Sequence, residues 1–300
     1  MTDSLDELFA RERRPLWGLC YRMTGSAADA DEIVQEAFAR ALEKPPKDTS
    51  RPLGPWLRTV ALNLSRDRLR RRSRTHLGSF VPEPVADDEL AQEPEGSPEA
   101  RVSKAESASW AFLLALEVLS DKQRAVLVLR DVYDLSTRET AEALELGESH
   151  VKVLLHRARK ALEEARAPET PSAEATQAMM RFFTALAQGD YEAMKALLRE
   201  DVVLITDGAG EVHAARKPVL SRDKVVTFHR KTKQAVMPTI QLARVNGAPA
   251  LVYRYETPLK AGVPTHGVAQ MELDDSGAIC RILVVAAPSK LRRFFDRWEP

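Results

Sequence analysis

The chain has 300 residues, and its 44 lysines and arginines balance 44 aspartates and glutamates, so the formal net charge is zero. This length predicts two or three domains, and a hydrophobic share of 44% indicates enough apolar material for real cores. The chain has no apolar run of roughly 18 residues, no secretory pattern at its acidic N-terminus, and only Cys20 and Cys280 as cysteines. We therefore expect a cytoplasmic protein with no membrane association and no disulfide framework.

Charge is distributed unevenly along the chain. The stretch "NLSRDRLRRRSR" (63–74) contains six arginines, and residues 1–80 together carry a net charge of +4. Residues 81–109, which contain several prolines, carry −6. A basic stripe of this kind predicts a polyanionic partner, and the acidic segment that follows is suited to shield it.

Helical periodicity runs through residues 4–72. One helix is predicted over 29–42, with apolar side chains on one face and a polar stripe on the other. The polar stripe consists of Asp31, Glu32, Gln35 and Glu36. Such a stripe is usually only the solvated side of a helix, so taken alone it assigns no function.

The next helix is predicted from about Trp56 to Arg72, after a proline-rich loop at 44–54. The side chains that suit a nucleic acid on this helix are Trp56, Asn63, Arg66 and Arg70. Arginines at this spacing neutralise phosphates, and a tryptophan stacks well on an unpaired base. The alternative is a solvated helix end with the tryptophan in the core.

Residues 136–163 predict a helix-turn-helix. Ser136 and Glu139 have the spacing of a capping box, and "ELGE" ends the first helix before a second begins near Glu148. In this motif the second helix enters the major groove of DNA. Its basic face contains Ser149, His150, Lys152, His156 and Arg157. A plain helical hairpin with a solvated basic face is the alternative.

Beyond residues 167–173 the composition changes, and two short helices precede a series of strands. The predicted strands are 202–206, 239–245, 250–257, 267–273 and 278–287. Turn residues between them, such as Asn246–Gly247, favour hairpins. We expect a multidomain protein with two all-α domains and an α+β domain that has a curved antiparallel sheet.

The order of the N-terminal elements resembles the extracytoplasmic-function (ECF) sigma factors of bacterial RNA polymerase, over most of residues 5–165. The resemblance implies that helix 29–42 binds the beta-prime clamp of the polymerase core. It implies that loop 44–54 and the helix from Trp56 read and open the −10 promoter element, and that helix 148–162 reads the −35 element. The implied domains are 1–79 and 105–166, with a linker at 80–104.

Residues 174–300 resemble the SnoaL-like domain that one subgroup of these sigma factors carries at its C-terminus. The subgroup's linker motif is kept as Pro82, Glu83 and Pro84, and its DGGGK motif appears as "DGAGE", which begins with Asp207-Gly208 and continues through Gly210 to Glu211. The resemblance implies that this domain controls the sigma factor in cis. In this interpretation the linker docks on the glycine-rich turn, whose backbone N–H groups are accessible.

Two other functions remain as alternatives. Residue types that suit an isomerase- or cyclase-like proton transfer are present at Asp207, Tyr253, Tyr255 and His266, but no spacing specifies a catalytic site. We expect no enzyme activity, no cofactor and no metal, while a pocket for a small apolar ligand is possible in the C-terminal domain. A stand-alone helix-turn-helix regulator would need neither helix 29–42 nor the loop before Trp56.

Overall fold

The computed structural model describes residues 5–46, 52–76, 78–90, 103–165, 172–256 and 260–297. The chain divides into two compact units. Unit 1 comprises Met1–Thr75 and Asp87–Arg166, and unit 2 comprises His76–Ala86 and Ala167–Pro300. The predicted linker is therefore divided, because residues 80–86 belong to unit 2. Residues 91–102 of that linker lie outside the described residues, as do residues 47–51 of the predicted loop.

In its described part, unit 1 contains only helices, as the sequence predicts. They are α1 (Leu5–Thr24), α2 (Ala27–Glu43), α3 (Leu53–Thr75), α4 (Asp87–Leu90), α5 (Lys104–Ser107), α6 (Trp110–Ala115), α7 (Asp121–Leu127), α8 (Thr137–Leu144) and α9 (Glu148–Ala165). A 3-10 turn follows α6 and a π-helical turn, Val128–Val132, follows α7. Helices α1, α2 and α3 pack against one another, and α3 also packs against α7 and α8.

Local sequence explains where α2 begins. The Ser26 hydroxyl accepts a hydrogen bond of 3.0 Å from the backbone N–H of Asp29, which satisfies one of the unpaired donors of the first turn. The apolar face of α2 is buried, including Ile33 and Ala37. Leu42, in the last turn, is 67% exposed, whereas Ala41 beside it is buried.

The predicted helix-turn-helix is present as α8 and α9. The capping box is confirmed, since Ser136 and Glu139 bond to each other's backbone N–H. Glu145 adopts a left-handed conformation with φ of 53°, which ends α8. The buried face of α9 is formed by Val151, Leu154, Leu155 and Ala158.

Unit 2 has an α+β fold, as expected. Its helices are α10 (Ser172–Gln188), α11 (Tyr191–Ala196), α12 (Arg222–Thr232) and α13 (Pro288–Arg297). Its strands are β1 (Leu198–Asp207), β2 (Val219–Leu220), β3 (Thr239–Val245), β4 (Ala248–Arg254), β5 (His266–Leu273) and β6 (Ile279–Val285). Apolar residues of α10, α11, α12 and the sheet form the core, with Phe182, Met194 and Val225 buried at its centre.

The sheet is mixed and not purely antiparallel, which corrects the prediction. Its strand order is β2-β1-β6-β5-β4-β3, and β1 pairs with β6 in parallel. The hairpins β3–β4 and β5–β6 were recognisable from their turn residues, whereas the pairing of the first long strand with the last is a long-range contact without a local signal. Helices α12 and α13 and the short strand β2 were not predicted. None of the described helices combines the length and the apolar character that a membrane span requires.

Candidate functional site

The polar stripe of α2 lies on the surface of unit 1. Glu32 and Gln35 are exposed, and Asp31 and Glu36 are partly exposed. Glu36 pairs with Arg40 one turn further along, at 2.5 Å, and Glu32 pairs with Arg68 of α3 at 2.8 Å. The stripe therefore presents carboxylates to solvent while one of them is tied to the neighbouring helix.

Four arginines of α3, at positions 66, 68, 70 and 72, are paired with carboxylates in unit 1. Arg66 Nε and Arg70 Nη2 both donate to Oδ2 of Asp121, at 2.9 and 2.8 Å. Arg68 bridges Asp29 and Glu32 of α2, at 3.2 and 2.8 Å. Trp56 is half-buried and Asn63 is exposed. Two of the predicted phosphate ligands, Arg66 and Arg70, thus share an acid at the start of α7.

A second ionic cluster lies nearby. Arg72 of α3 donates to both carboxylate oxygens of Glu117, at 2.7 and 2.6 Å, and Arg124 of α7 donates to the same carboxylate at 2.7 Å. Arg72 also donates to the backbone oxygen of Thr24. Burial alone raises the pKa of Glu117, but the guanidiniums of Arg124 and Arg72 outweigh it, so the pKa is lowered overall.

Asp121 has a similar environment. Burial acts to raise the pKa of its carboxyl, and hydrogen bonds and charge from Arg66, followed by the charge of Arg70, lower it overall. Within the described residues the basic stripe therefore has carboxylate partners in α2, in Asp67 of its own helix, in Glu117 of the 3-10 turn after α6 and in Asp121 at the start of α7. Of the acidic segment 81–109 that was predicted to shield the stripe, residues 91–102 lie outside the described residues, and Glu89, which is described, lies 3.9 Å from Arg14 of α1.

The basic face of α9 is fully accessible. Each of its predicted contact residues is exposed: Ser149, His150, Lys152, His156 and Arg157. One turn further, Arg159 points back and donates to both oxygens of the buried Asp131, at 2.9 and 2.5 Å. A bidentate pair of this kind fixes α9 against the turn that precedes α8. The helix is therefore positioned by Arg159 while its outer face stays available.

The linker motif lies in unit 2. Residues 81–85 are extended and all five are buried, including Pro82, Glu83 and Pro84. Buried backbone groups need partners. The N–H of Val81 donates to Oδ2 of Asp207 at 2.8 Å, and the carbonyl of Val81 accepts from Lys290 Nζ at 2.7 Å. The sequence predicted the docking of this segment but not these two contacts.

Asp207 is the centre of this arrangement. Its side chain is fully buried, and Lys290 Nζ lies 2.6 Å from its Oδ2. Its Oδ1 accepts from the N–H of Ala209 at 2.9 Å, and His76 Nε2 lies 3.6 Å away. The ammonium of Lys290 also lies 3.9 Å from the ring centroid of Phe80. The carboxylate thus joins the linker, the glycine-rich turn and α13.

The glycine-rich turn binds the linker in a way that corrects the prediction. The contact to Val81 comes from the Asp207 carboxylate, while the N–H groups of Ala209 and Glu211 bond within the turn. Gly208 has no room for a side chain, because a Cβ there would lie 2.8 Å from the carbonyl oxygen of Val212. Gly210, with φ of 79°, completes the turn.

Glu211 stands where the subgroup has lysine, and it contacts α13. Its carboxylate accepts a hydrogen bond of 3.1 Å from the backbone N–H of Ser289, and another from the Ser289 hydroxyl. A carboxylate at the first turn of a helix satisfies free N–H groups and suits the helix dipole. The next residue of that helix, Lys290, supplies a cation to Asp207.

The far end of the linker motif pairs with the β3–β4 turn. The N–H of Val85 donates to Oδ1 of Asn246 and the carbonyl of Val85 accepts from the Asn246 N–H, both at 2.9 Å. Ala86 then forms an antiparallel bridge with Val245. The linker motif is therefore held at both ends by unit 2.

The residue types considered for catalysis do not form one site in the described residues. Asp207 is committed to Lys290 and Val81, and Tyr253 and Tyr255 contact each other with ring centroids 6.2 Å apart. His266 packs on Phe295, with a centroid distance of 4.8 Å. Among the described residues, no three His, Cys, Asp or Glu side chains converge to hold a metal ion.

Several residues at these sites were missed from the sequence: Lys290, Asn246, Asp121 and Glu117. Asn246 was recognised as a turn residue, but its hydrogen bonds to the backbone of Val85 had no signal in the sequence. Lys290 lies 83 positions from Asp207 and 209 from Val81, so no local pattern joins them. For α13, the spacing of Leu291 and Phe294 after Pro288 was the available signal.

Comparisons with known proteins agree with the helical pattern of unit 1. The Sigma-70 region 2 family matches residues 8–75, and the Sigma-70 region 4 family matches residues 109–162. The chain is 36% identical over 248 residues to the ECF RNA polymerase sigma factor SigJ of Mycobacterium tuberculosis, across 80% of this chain and 78% of that protein. It is 28% identical over 299 residues to the probable ECF RNA polymerase sigma factor SigI of that organism, across 96% of this chain and 95% of that protein.

A solved structure also matches almost the whole chain. The crystal structure of M. tuberculosis SigJ superposes with a TM-score of 0.69 at 28% sequence identity, and it covers 96% of this chain and 98% of that one. The match therefore includes unit 2 as well as unit 1.

Proposed function

The chain belongs to the extracytoplasmic-function RNA polymerase sigma factors, and from that premise we propose which residues carry its activity and how unit 2 controls it. Sigma factors bind the polymerase core and promoter DNA and start transcription. The functional domains we propose are 1–79 for the core and the −10 element, 105–166 for the −35 element, and 174–300 for regulation, with linkers at 80–104 and 167–173.

The core-binding surface we propose is the polar stripe of α2, which would meet the beta-prime clamp. Its contacts would be Asp31, Glu32, Gln35 and Glu36. Their exposure on a well-packed helix supports this assignment, because a rigid carboxylate stripe suits a basic partner surface. The pairing of Glu32 with Arg68 links this surface to the DNA-binding helix.

Promoter DNA is divided between two helices in this proposal. The −10 element would be read and opened by Trp56, Asn63, Arg66 and Arg70, and the −35 element by Ser149, His150, Lys152, His156 and Arg157. The −35 element stays double-stranded, so a helix can read its base edges in the major groove. Opening the −10 element requires bases held outside the stack, which suits an aromatic side chain and arginines.

Control in cis would work through the linker motif. One observation carries it: residues 81–85 are buried in unit 2, and both polar groups of Val81 are bound there by Asp207 and Lys290. Any condition that releases this segment would lengthen the free connection between the two DNA-binding regions. The regulatory residues we propose are then Pro82, Glu83, Pro84, Asp207, Gly208 and Gly210, and we add Lys290 because it binds both Asp207 and Val81.

We further propose that unit 2 is not an enzyme and that the protein acts in the cytoplasm, where the polymerase is. The commitment of the Asp207 carboxylate to Lys290 and Val81 removes the most suitable general base from catalysis. A small apolar ligand that displaces the linker is compatible with this regulation.

Run-off transcription with purified core polymerase tests the proposal, with the chain's own upstream region among the templates. Full-length protein is compared with Lys290→Met, which leaves every DNA-binding and core-binding residue in place. We expect core-dependent transcripts from both proteins and a change in yield for the variant. The sigma assignment of these residues fails if neither protein binds core, and the control in cis fails if the two yields are equal.

A further inference from the structure

A strongly basic segment of unit 2 has no role in the proposed function. Residues 216–233, which include β2 and α12, contain seven lysines and arginines against one acid, so they carry a net charge of +6. The arginine-rich stretch 63–74 carries +5, and the whole chain carries zero. A solvated surface normally mixes charges of both signs, so a segment of one sign indicates an anionic partner.

The exposed side of α12 carries lysines that nothing neutralises. Val225 is buried in the core of unit 2, whereas Lys224, Thr227 and Lys231 are exposed. These three residues follow one another at intervals of three and four, the spacing at which side chains share one face of a helix. Within the described ranges of the chain, neither Lys224 nor Lys231 forms an ion pair.

The single acid of α12 is already paired. Oδ1 of Asp223 lies 2.5 Å from Nζ of Lys195 on α11. A further cation, Arg230, is exposed beside the two lysines, and its guanidinium lies 5.8 Å from the ring centroid of Tyr191. That cation–π contact orients the side chain and keeps its charge. We call the surface formed by residues 224, 230 and 231 the α12 face.

We propose that the α12 face is a second DNA-contacting surface, which binds phosphates of the promoter without reading its sequence. Lys224 and Lys231 are seven residues apart, or about 10 Å along the helix. One strand of B-form DNA carries about three phosphates over that length. Lysines bind phosphates as point charges, and such contacts position a protein on DNA without carrying sequence information. Unit 2 thereby has a contact with DNA in addition to its control in cis.

The family and the connection to α9 favour DNA as the anion. Sigma factors bind promoter DNA, and the chain belongs to that family. Helix α9 ends at Ala165 and α10 begins at Ser172, so six residues connect the proposed −35 reader to unit 2. A connection this short gives the α12 face a high effective concentration for DNA that α9 holds. Weak phosphate contacts then add to the affinity of the whole chain.

The cations of α9 have the same availability. Lys152 and Arg157 are exposed and, like the lysines of the α12 face, form no ion pair in the part of the chain that the structure describes. Arg66 and Arg70 of α3 differ, since both bind Asp121. Unpaired cations bind phosphate without first giving up a carboxylate, so α9 and the α12 face are suited to the first contact with a duplex.

The test measures binding of the full-length chain to a fluorescent 40-base-pair duplex of arbitrary sequence, by anisotropy, at several salt concentrations between 50 and 200 mM. The test variant combines Lys224→Gln with Lys231→Gln. Both positions are exposed, and glutamine forms helices about as well as lysine does. The matched control combines Lys260→Gln with Arg292→Gln, which removes two charges from exposed positions elsewhere in unit 2.

We expect the slope of log affinity against log salt to be smaller by about 2 in the test variant, because two phosphate contacts are lost. At 100 mM salt its affinity should be lower by at least about tenfold. The control variant should keep the slope and the affinity of the unmodified chain. A second duplex of unrelated sequence should give the same loss, since its phosphates are identical.

Equal slopes and affinities in the test and control variants would overturn the proposal. If the α12 face instead binds the polymerase core or the acidic residues 91–102 of this chain, the slope for free duplex stays unchanged in the test variant, and the proposal also fails. Failure of the proposed −35 reader has a different signature: Lys152→Ala and Arg157→Ala would leave the slope unchanged while the α12 variant still reduces it.

Discussion

The ammonium of Lys290 lies 2.6 Å from Oδ2 of Asp207, and the same ammonium donates to the carbonyl of Val81 at 2.7 Å. Both charged groups are almost entirely buried. One ion pair therefore binds the C-terminal helix, the turn after β1 and the linker motif together. Neither group can be removed without leaving a buried polar partner unsatisfied.

Replacing Lys290 by methionine should destabilise unit 2 by about 3 to 5 kcal/mol, because it leaves the Asp207 carboxylate buried without its cation. Denaturant unfolding measures this loss, and hydrogen exchange at Val81 and Val85 should show earlier opening of the linker motif. Lys231→Met is the matched control, since Lys231 is exposed on α12. Equal stability of the two variants would contradict the role assigned to Lys290.

Gly208→Ala should destabilise unit 2, because the new Cβ would lie 2.8 Å from the Val212 carbonyl and 2.9 Å from the Cβ of Ala214. A cost of about 1 to 3 kcal/mol is expected from overpacking of this kind. Gly147→Ala is a suitable comparison, since a Cβ there meets nothing within 4 Å. A thermal melt in which Gly208→Ala is no less stable than Gly147→Ala would refute the tight turn.

The stability of unit 2 should fall as the pH falls from about 6.5 to about 4. Burial lowers the pKa of His229 to about 4. In the unfolded chain the imidazole has its ordinary pKa of about 6.5, so as the pH falls it binds a proton before the folded chain does. The stability that His229 contributes is therefore fully present above about pH 6.5 and is lost as the pH falls to about 4, for about 3 kcal/mol in total.

Replacement of His229 by glutamine should flatten the pH dependence of the free energy of unfolding. The exposed His213, changed to glutamine, should leave that dependence intact. A pH profile that is the same for His229→Gln and the unmodified chain would show that this histidine does not carry the effect.

Lys152→Ala and Arg157→Ala should each weaken binding to duplex DNA and reduce the slope of log affinity against log salt by about 1, because each removes one phosphate contact. Arg138→Ala removes an equal charge from α8, where Arg138 is paired with Glu142, and should leave the slope unchanged. Slopes that fall equally in all three variants would mean that α9 does not present the DNA-binding face.

Local chemistry explains which parts of the fold were predictable. Ser136 and Glu139 fix the start of α8 through contacts three residues apart, and the turn residues Asn246–Gly247 fix a hairpin. Such signals are contained in a few neighbouring residues. Helix α12 lacked such a local signal, because Val225 is its single buried residue and many of the others are charged.

The candidate sites were predictable only in part, for a related reason. The exposed face of α9 follows from a pattern within a short segment, whereas the docking of Pro82–Pro84 was implied by the family resemblance. The partners that decide their behaviour, such as Asp121 for Arg66 and Lys290 for Val81, are 55 and 209 positions away. Charge complementarity predicted that the arginines of α3 pair with acids. It predicted those acids in the neighbouring linker, whereas the structure has Asp121 at the start of α7.

The chain passes between its two units three times, after Thr75, after Ala86 and after Arg166. Unit 2 is therefore a discontinuous domain, and its first segment, His76–Ala86, is attached to the N-terminal helices. A single protease cut within residues 91–102 would yield two fragments that still share this domain. They should copurify by fragment complementation, and a synthetic peptide of residues 76–86 should compete with the N-terminal fragment for its binding site in the C-terminal fragment.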